Sequence, residues 1–289
     1  MKKGITKILS ACVFAFVVFL AAGTQSKAAV NMGVKQTGAG SSYVDLAWNA
    51  QLGAGHYHTQ FSQDGKNWID MEYSSSPSDS VYNLTQGASY YARVVAYNGS
   101  HYSGTHVMVG VSETAIVSTK PTEVTGLTQT AAGVNSVSMS WNASAGAASY
   151  VIYGYINYNW TQIGTSATNS ATITGVAATT STKFSVAAVK NVTGGTVTGD
   201  QCSGVEMKAI PIKVSRIAMQ YYWDSLKEAK YIWTDVNNAD GYQYEVKSAN
   251  GKKTYFRATS TSSYTYVKPF PRGIFVKARV RAYVTVGNK

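Results

Sequence analysis

Apolar and polar positions alternate with a period of two along most of this chain, and that alternation predicts strands. In "YVDLAW", Val44, Leu46 and Trp48 fall on one face. In "YHTQFSQDGKNW", Tyr57, Thr59 and Phe61 share a face ahead of Asp64-Gly65, and Asp-Gly between alternating runs is a hairpin signal. "VYNLTQGASYYARVVAY" predicts a strand, a turn at Gln86-Gly87, and a second strand with Tyr90, Ala92, Val94 and Ala96 on one face. "THVMVGVSET" supplies a last strand. No helical period appears beyond the N-terminal leader. About seven short strands per ~90 residues, each with one buried and one wet face, predict antiparallel β-sandwiches.

The same pattern recurs. Trp48, Trp141 and Trp233 lie 93 and 92 residues apart, and each is followed nine residues later by a tyrosine: Tyr57, Tyr150 and Tyr242. A second landmark, "YARVVAYNG", "KFSVAAVKN" and "KARVRAYVT", places Ala96, Ala188 and Ala282 at spacings of 92 and 94. Two landmarks with one period mean tandem modules.

On these residues each unit resembles a fibronectin type III domain. That family carries a Trp at the end of its second strand, a Tyr opening the third, and a Leu-x-x-Gly-x-x-Tyr corner into the sixth. Module 1 has them as Trp48, Tyr57 and the run from Leu84 through Gly87 to Tyr90. Module 2 opens with "KPTEVTGLTQT", a characteristic start, and has Trp141 and Tyr150, but Val176 and Thr182 stand at its corner. Module 3 has Trp233 and Tyr242, with Phe270 and Val276 at the corner. The resemblance implies all-β, tandem immunoglobulin-like antiparallel sandwiches. It also implies that these Trp, Tyr and Leu landmarks are core devices without chemistry. The predicted division is a leader over 1–28 and modules over 29–119, 120–210 and 211–289. Short proline-bearing joints at Pro121 and Pro211 imply a semi-rigid string. Only seven residues follow Ala282, so module 3 is expected to lack its seventh strand and to be cut short.

The leader has its own plan. Lys2, Lys3 and Lys7 precede an apolar run from Ile8 to Ala22 and a small-residue exit at Ser26-Lys27-Ala28, which reads as a secretory signal peptide cleaved after Ala28. The run falls short of the ~20 residues that span a bilayer, so no transmembrane anchor is expected. "LSAC" ending at Cys12 precedes the apolar run instead of following it, which argues against lipidation. Cys202 then stands alone in the mature chain, so no internal disulfide is expected; with no His nearby in sequence it reads as a strand or loop residue. The expected location is secreted or cell-surface, in a bacterial setting.

Charge is concentrated in one place. The 289-residue chain carries net +11. Residues 29–210 have 7 basic against 9 acidic side chains, whereas residues 211–289 have 14 against 5. The basic third module would attract anions by its long-range field. In its sixth strand Val276, Ala278, Val280 and Ala282 should face the core, leaving Lys277, Arg279 and Arg281 on the solvent face about 6.5–7 Å apart. Arginine suits bidentate contact with carboxylate or phosphate. The plainer reading is solvated charge that guards a strand edge. The expected partners are an extracellular protein or an anionic cell-wall polymer or polysaccharide. Nucleic acid is not expected, because the chain is exported and carries no recognised binding motif.

Exposed aromatics offer a second binding signal. "YGYINYNWTQ" packs Tyr153, Tyr155, Tyr158 and Trp160 into one hairpin, and "MQYYWDS" adds Tyr221, Tyr222 and Trp223. Flat aromatic rings can stack on sugars or proteins. Of these, Tyr155, Tyr158 and Trp160 are the candidates, with alternation as the competing account of which side chains reach solvent. The four histidines, His56, His58, His101 and His106, all lie in module 1. His56 and His58 share the outward face of the third strand, and the other two flank the next loop on the same sheet. A cluster of zinc-type nitrogen ligands is therefore possible. With no Cys, Asp or Glu at ligand spacing, surface histidines and no metal are expected.

Catalysis has little support. A glycosidase needs paired carboxylates at a cleft, and none stands out; no nucleophile elbow, Ser-His-Asp set or phosphate loop is present. No catalytic residue and no cofactor is expected. The sequence thus points to a non-catalytic array of extracellular binding or spacer modules, or to a carbohydrate-binding accessory region of a larger glycan-degrading enzyme.

Overall fold

The computed structural model describes residues 29–99, 101, 106–271 and 273–286. The signal-peptide reading and Cys12 lie outside the described residues. The described chain contains 23 strands and no α-helix, and no helix among them is long and apolar enough to cross a membrane.

Module 1 contains β1 (Ala29–Val30), β2 (Lys35–Ala39), β3 (Val44–Ala47), β4 (His56–Ser62), β5 (Ile69–Ser74), β6 (Ser78–Val81), β7 (Ser89–Tyr97), β8 (Met108–Ser112) and β9 (Ala115–Ser118). One sheet runs β2-β3-β6 and the other β5-β4-β7, with β8 and β9 both on the far edge of β7 and β1 added parallel to β8. Module 2 contains β10 (Thr128–Gly133), β11 (Ser136–Ser140), β12 (Ser149–Ile156), β13 (Asn159–Ser166), β14 (Ser170–Thr174), β15 (Thr182–Val192), β16 (Gly195–Thr198) and β17 (Val205–Met207). Its sheets are β10-β11-β14 and β13-β12-β15, again with two short strands on the far edge. Module 3 contains β18 (Ile217–Trp223), β19 (Glu228–Trp233), β20 (Gly241–Ser248), β21 (Thr254–Ser260), β22 (Tyr264–Val267) and β23 (Val276–Tyr283). Its sheets are β18-β19-β22 and β21-β20-β23, with no seventh strand among the described residues. Each module is a sandwich of two facing sheets, antiparallel throughout apart from the β1–β8 pair.

The alternation read from sequence is what closes each sandwich. Val44, Leu46, Trp48, Tyr57 and Phe61 meet Tyr90, Ala92, Val94 and Ala96 in the first core. A second core spans Val124 to Ala209, and a third spans Val214 to Val267 with Val276, Ala278, Val280 and Ala282 packed against it. The Trp-Tyr landmark has one geometry in all three: edge-to-face rings at 5.4, 5.3 and 5.4 Å. Each tyrosine hydroxyl also accepts from the backbone N–H six residues before it, at Gln51 (3.0 Å), Ser144 (3.0 Å) and Val236 (2.8 Å). The landmark therefore packs the core and ties down the loop between the second and third strands. In module 1 the corner is completed by Tyr90, whose hydroxyl accepts from Thr85 N at 3.0 Å. Thr182 and Val276 carry no phenol for the equivalent bond.

The last strand expected from "THVMVGVSET" is β8, and a further strand, β9, follows it after the chain breaks at Glu113. The Glu113 carboxylate leaves the ladder to accept from Met32 N (2.8 Å) and Val34 N (2.9 Å), pinning the start of the first sheet. The amide of Val94 thereby left without a strand partner donates to Ser112 Oγ at 2.8 Å. Module 2 repeats the break between β16 and β17, with a different atom: Val186 N donates to Cys202 Sγ at 3.2 Å, and Cys202 N donates back to Val186 O at 3.0 Å.

The joints differ. Between modules 1 and 2 the tip of the β15–β16 hairpin reaches back to β9. Thr193 N donates to Ile116 O at 2.8 Å, and Ile116 N donates to Thr193 Oγ1 at 2.7 Å. Buried Lys190 donates to Gly87 O, and burial holds its ammonium below the usual lysine range. Lys120 pairs with Asp200 at 2.7 Å. Between modules 2 and 3 the contacts include the Lys208–Asp240 ion pair at 2.5 Å and Asn238 Nδ2 donating to Ala178 O at 3.5 Å.

Candidate binding surfaces

Two sheets of module 3 turn different chemistry outward. On the β18-β19-β22 sheet, pairing sets Tyr221 beside Lys230 and Lys230 beside Tyr266 in one row across the three strands. Two residues along each outer strand, Trp223 and Tyr264 extend the row. Tyr221 and Trp223 lie 4.0 Å apart between ring centroids, and Trp223 stacks parallel to Tyr266 at 6.3 Å. The Lys230 ammonium sits 5.0 Å from the Tyr264 ring, 5.5 Å from Tyr221 and 5.7 Å from Tyr266. These are cation–π distances, so the lysine binds the rings into one platform. The Tyr221 phenol is pushed up to about 12, by desolvation first and then by its hydrogen bond with Tyr266. Trp223, Tyr264 and Tyr266 remain exposed. Tyr222, the other aromatic singled out in "MQYYWDS", lies between Tyr221 and Trp223 in a strand, and its ring packs near Phe270 at 5.8 Å on the core side.

The β21-β20-β23 sheet turns charge outward. Lys277, Arg279 and Arg281 face solvent as the alternation requires, and register sets them opposite Lys247, Glu245 and Gln243. The stripe is less free than its sequence implies. Glu245 is only 5% exposed; it accepts from Arg279 and from Arg257 (2.5 Å), with Lys247 at 3.3 Å. Those partners, Arg257 foremost, hold its carboxyl down at about 2. Arg281 Nε donates to Gln243 Oε1 at 2.8 Å. Gln243, Glu245, Arg257, Arg279 and Arg281 line an open groove of about 590 Å³ with Thr259 along one wall, and Lys247 and Lys277 lie outside it.

The aromatic hairpin of module 2 is built as its residues suggest. Tyr155 and Trp160 are cross-strand partners, with edge-to-face rings at 5.3 Å. The Trp160 indole reaches across the sheet to Gly204, where an added Cβ would meet the ring at 2.8 Å. Asn157 and Tyr158 form the two-residue turn with φ of 49° and 65°. Two positive φ values match a turn whose twist suits a hairpin, and glycine usually takes the second place. A tyrosine held there, 90% exposed, is conspicuous.

Module 1 gathers its four histidines. His56 and His58 project from β4, while His101 and His106 come from the segment joining β7 to β8. All six ring-centroid separations fall between 5.2 and 6.4 Å. The expectation of surface histidines fails for His56, which is 2% exposed: Tyr97, stacked on it at 5.3 Å, and the His101 and His106 rings cover it. Burial is also the leading cause that lowers the His58 pKa; Asp70 opposes it and the other three histidines reinforce it.

Tyr264, Tyr266 and Lys230 are the site residues that sequence reading missed. The alternation in "SYTYV" places both tyrosines on one face, and that signal was available; the lysine between them is supplied by pairing with β19.

Comparison with known proteins finds a partial relative and similar solved structures. Chitinase A1 of Niallia circulans is 33% identical over 162 residues, covering 53% of this chain and 22% of that protein. The chain thus spans well under a third of the relative it matches. Among solved structures, chicken contactin 1 domains FN1–FN3 align over 86% of this chain and 92% of that one, at 15% identity and TM-score 0.33. A two-domain fibronectin type III segment of chicken tenascin aligns over 61% and 97%, at 16% identity and TM-score 0.32. No protein-family model matches the chain.

Proposed function

We propose that this chain is a non-catalytic, extracellular binding and spacing array, and that the aromatic face of module 3 is its contact surface for polysaccharide. The observation that carries the reading is the platform of Tyr221, Trp223, Tyr264 and Tyr266 around Lys230. Within it Trp223 and Tyr266 are exposed and lie within 15° of parallel, and such a pair of faces is one on which a sugar ring can stack. The joints support the spacer part, because hydrogen bonds and ion pairs brace the modules where a floppy linker would leave them loose. A second reading makes the array an accessory region of a glycan-degrading enzyme. The partial match to a chitinase favours it and makes insoluble chitin the first polymer to try.

The test is retention of the purified chain on insoluble chitin and on cellulose, at low and high salt, with Trp223→Ala, Tyr266→Ala and Trp160→Ala variants. The platform reading expects salt-insensitive retention that Trp223→Ala and Tyr266→Ala each weaken by about 1–3 kcal/mol, the scale of a lost stacking contact. Retention lost only on Trp160→Ala would move the contact to the module 2 hairpin. Binding to an anionic wall polymer that fades with salt and falls on Arg281→Ala would assign it to the charged groove. No retention on any polymer would leave spacing as the role.

A further inference from the structure

We propose that His56, His58, His101 and His106 form a binding site in module 1 for a divalent transition-metal ion of the zinc class. The inference is independent of the polysaccharide reading and concerns a different module.

Four facts about the nitrogens carry it. First, His56 Nδ1 lies 3.0 Å from Gly99 O, which assigns the proton to Nδ1 and leaves the lone pair on Nε2. That Nε2 is buried and has no hydrogen-bond partner among the described residues. A ligating histidine is usually oriented in this way, by giving its other N–H to a backbone carbonyl. Second, the carbonyl itself is fixed: Gly55 packs so closely on Gly99 that a Cβ on Gly55 would meet Gly99 O at 2.1 Å. Third, His58 Nε2 and His101 Nδ1 are 3.2 Å apart. Ligands at 2.0–2.1 Å from a tetrahedral zinc stand about 3.3 Å from one another, so this pair already has the length of a tetrahedron edge. Fourth, His106 Nδ1 is also buried without a partner among the described residues, with its ring 5.2 Å from that of His56.

The ligand atoms of His56, His58 and His101 all lie within 4.8 Å of one another. Side-chain rotation of about an ångström closes that spacing to the bonding one. Imidazole-only ligand sets suit zinc, copper and nickel and do not suit calcium or magnesium, which take oxygen. Tyr73, stacked on His101 at 4.1 Å, and Tyr97, stacked on His56, wall the cluster and limit the water that would otherwise solvate it. Such an ion would join β4 to the chain between β7 and β8, two segments 43 residues apart in sequence.

Zinc titration of the tag-free chain by calorimetry tests this, with calcium and magnesium as controls and cobalt as a spectroscopic substitute. The expected result is one zinc per chain, no response to calcium or magnesium, and a tetrahedral cobalt spectrum. His58→Ala and His101→Ala should each weaken zinc binding at least 10–100-fold, the scale set by loss of a single supporting contact. His101→Ala removes a half-buried ring and keeps His56 and the core, so a folding defect is not its expected effect; circular dichroism checks that. His106→Ala should weaken binding too, and unchanged affinity would remove it as the fourth ligand. Absence of saturable zinc uptake, or uptake that survives both His58→Ala and His101→Ala, would overturn the site.

Discussion

Replacing Cys202 with valine should cost more stability than replacing it with serine, and the contrast tests why module 2 carries a thiol in its core. Cys202 is 7% exposed and sits where the last strand breaks between β16 and β17. Its Sγ is the acceptor for Val186 N at 3.2 Å, as Ser112 Oγ is for Val94 N at 2.8 Å in module 1. Valine keeps most of the volume and removes the acceptor, leaving a buried backbone N–H without a partner. That costs about 1–3 kcal/mol. For a domain of this size each kcal/mol lowers the melting temperature by about 4–8 °C. Serine restores an acceptor of the kind module 1 already uses, and its cost should stay below about 1 kcal/mol. Ser185 Oγ, which donates to Cys202 O at 2.7 Å, can keep its bond in both variants. Calorimetry of the full chain, with hydrogen exchange of the Val186 amide to assign the transition to module 2, gives the readout. Equal stability of the two variants, or serine falling below valine, would refute the acceptor role.

Two further outcomes follow from side chains already placed. The carboxyl of Glu245 is depressed to about 2 against an ordinary 4.5, so it stabilises module 3 at neutral pH and loses that contribution as pH falls from about 4.5 towards 2. Melting temperature against pH should show a fall over that window that Glu245→Gln reduces, the remainder coming from carboxylates such as Asp240 that are also held down; an unchanged profile would show that the arginines do not hold the carboxylate. Tyr158→Gly should leave the β12–β13 hairpin as stable or up to about 1 kcal/mol more stable, because glycine takes a φ of 65° without the penalty a tyrosine incurs. A loss of more than that in thermal unfolding would mean that the exposed ring is packed in a way its position hides.

The sandwiches were legible because their evidence is local and repeated. Trp48, Trp141 and Trp233 keep one spacing to Tyr57, Tyr150 and Tyr242, and period-two alternation marks the inward faces. The hydroxyl bonds of those tyrosines to backbone six residues back were hidden, since they depend on how the intervening loop turns. The charged stripe was legible in its facing but not in its pairing: Arg279 meets Glu245 across a strand register that no single strand encodes. The histidines were legible as neighbours on one sheet. Burial of His56 was not, because the His101 and His106 rings that cover it come from a connection without periodicity. Glu113 and Cys202 broke the expected last strand for a similar reason: a side chain competing for backbone hydrogen bonds does not disturb the alternation around it.

The joints give the array a reach that depends on its medium, because each combines bonds that salt leaves alone with an ion pair that salt screens. At the first, Thr193 N bonds Ile116 O and Ile116 N bonds Thr193 Oγ1 beside the Lys120–Asp200 pair. At the second, Asn238 Nδ2 bonds Ala178 O beside the Lys208–Asp240 pair. The Debye length shrinks from about 30 Å at 0.01 M to about 3 Å at 1 M, so rising salt weakens the ionic part of both braces together. The volume swept by the aromatic face of module 3 then widens without any change in the face itself.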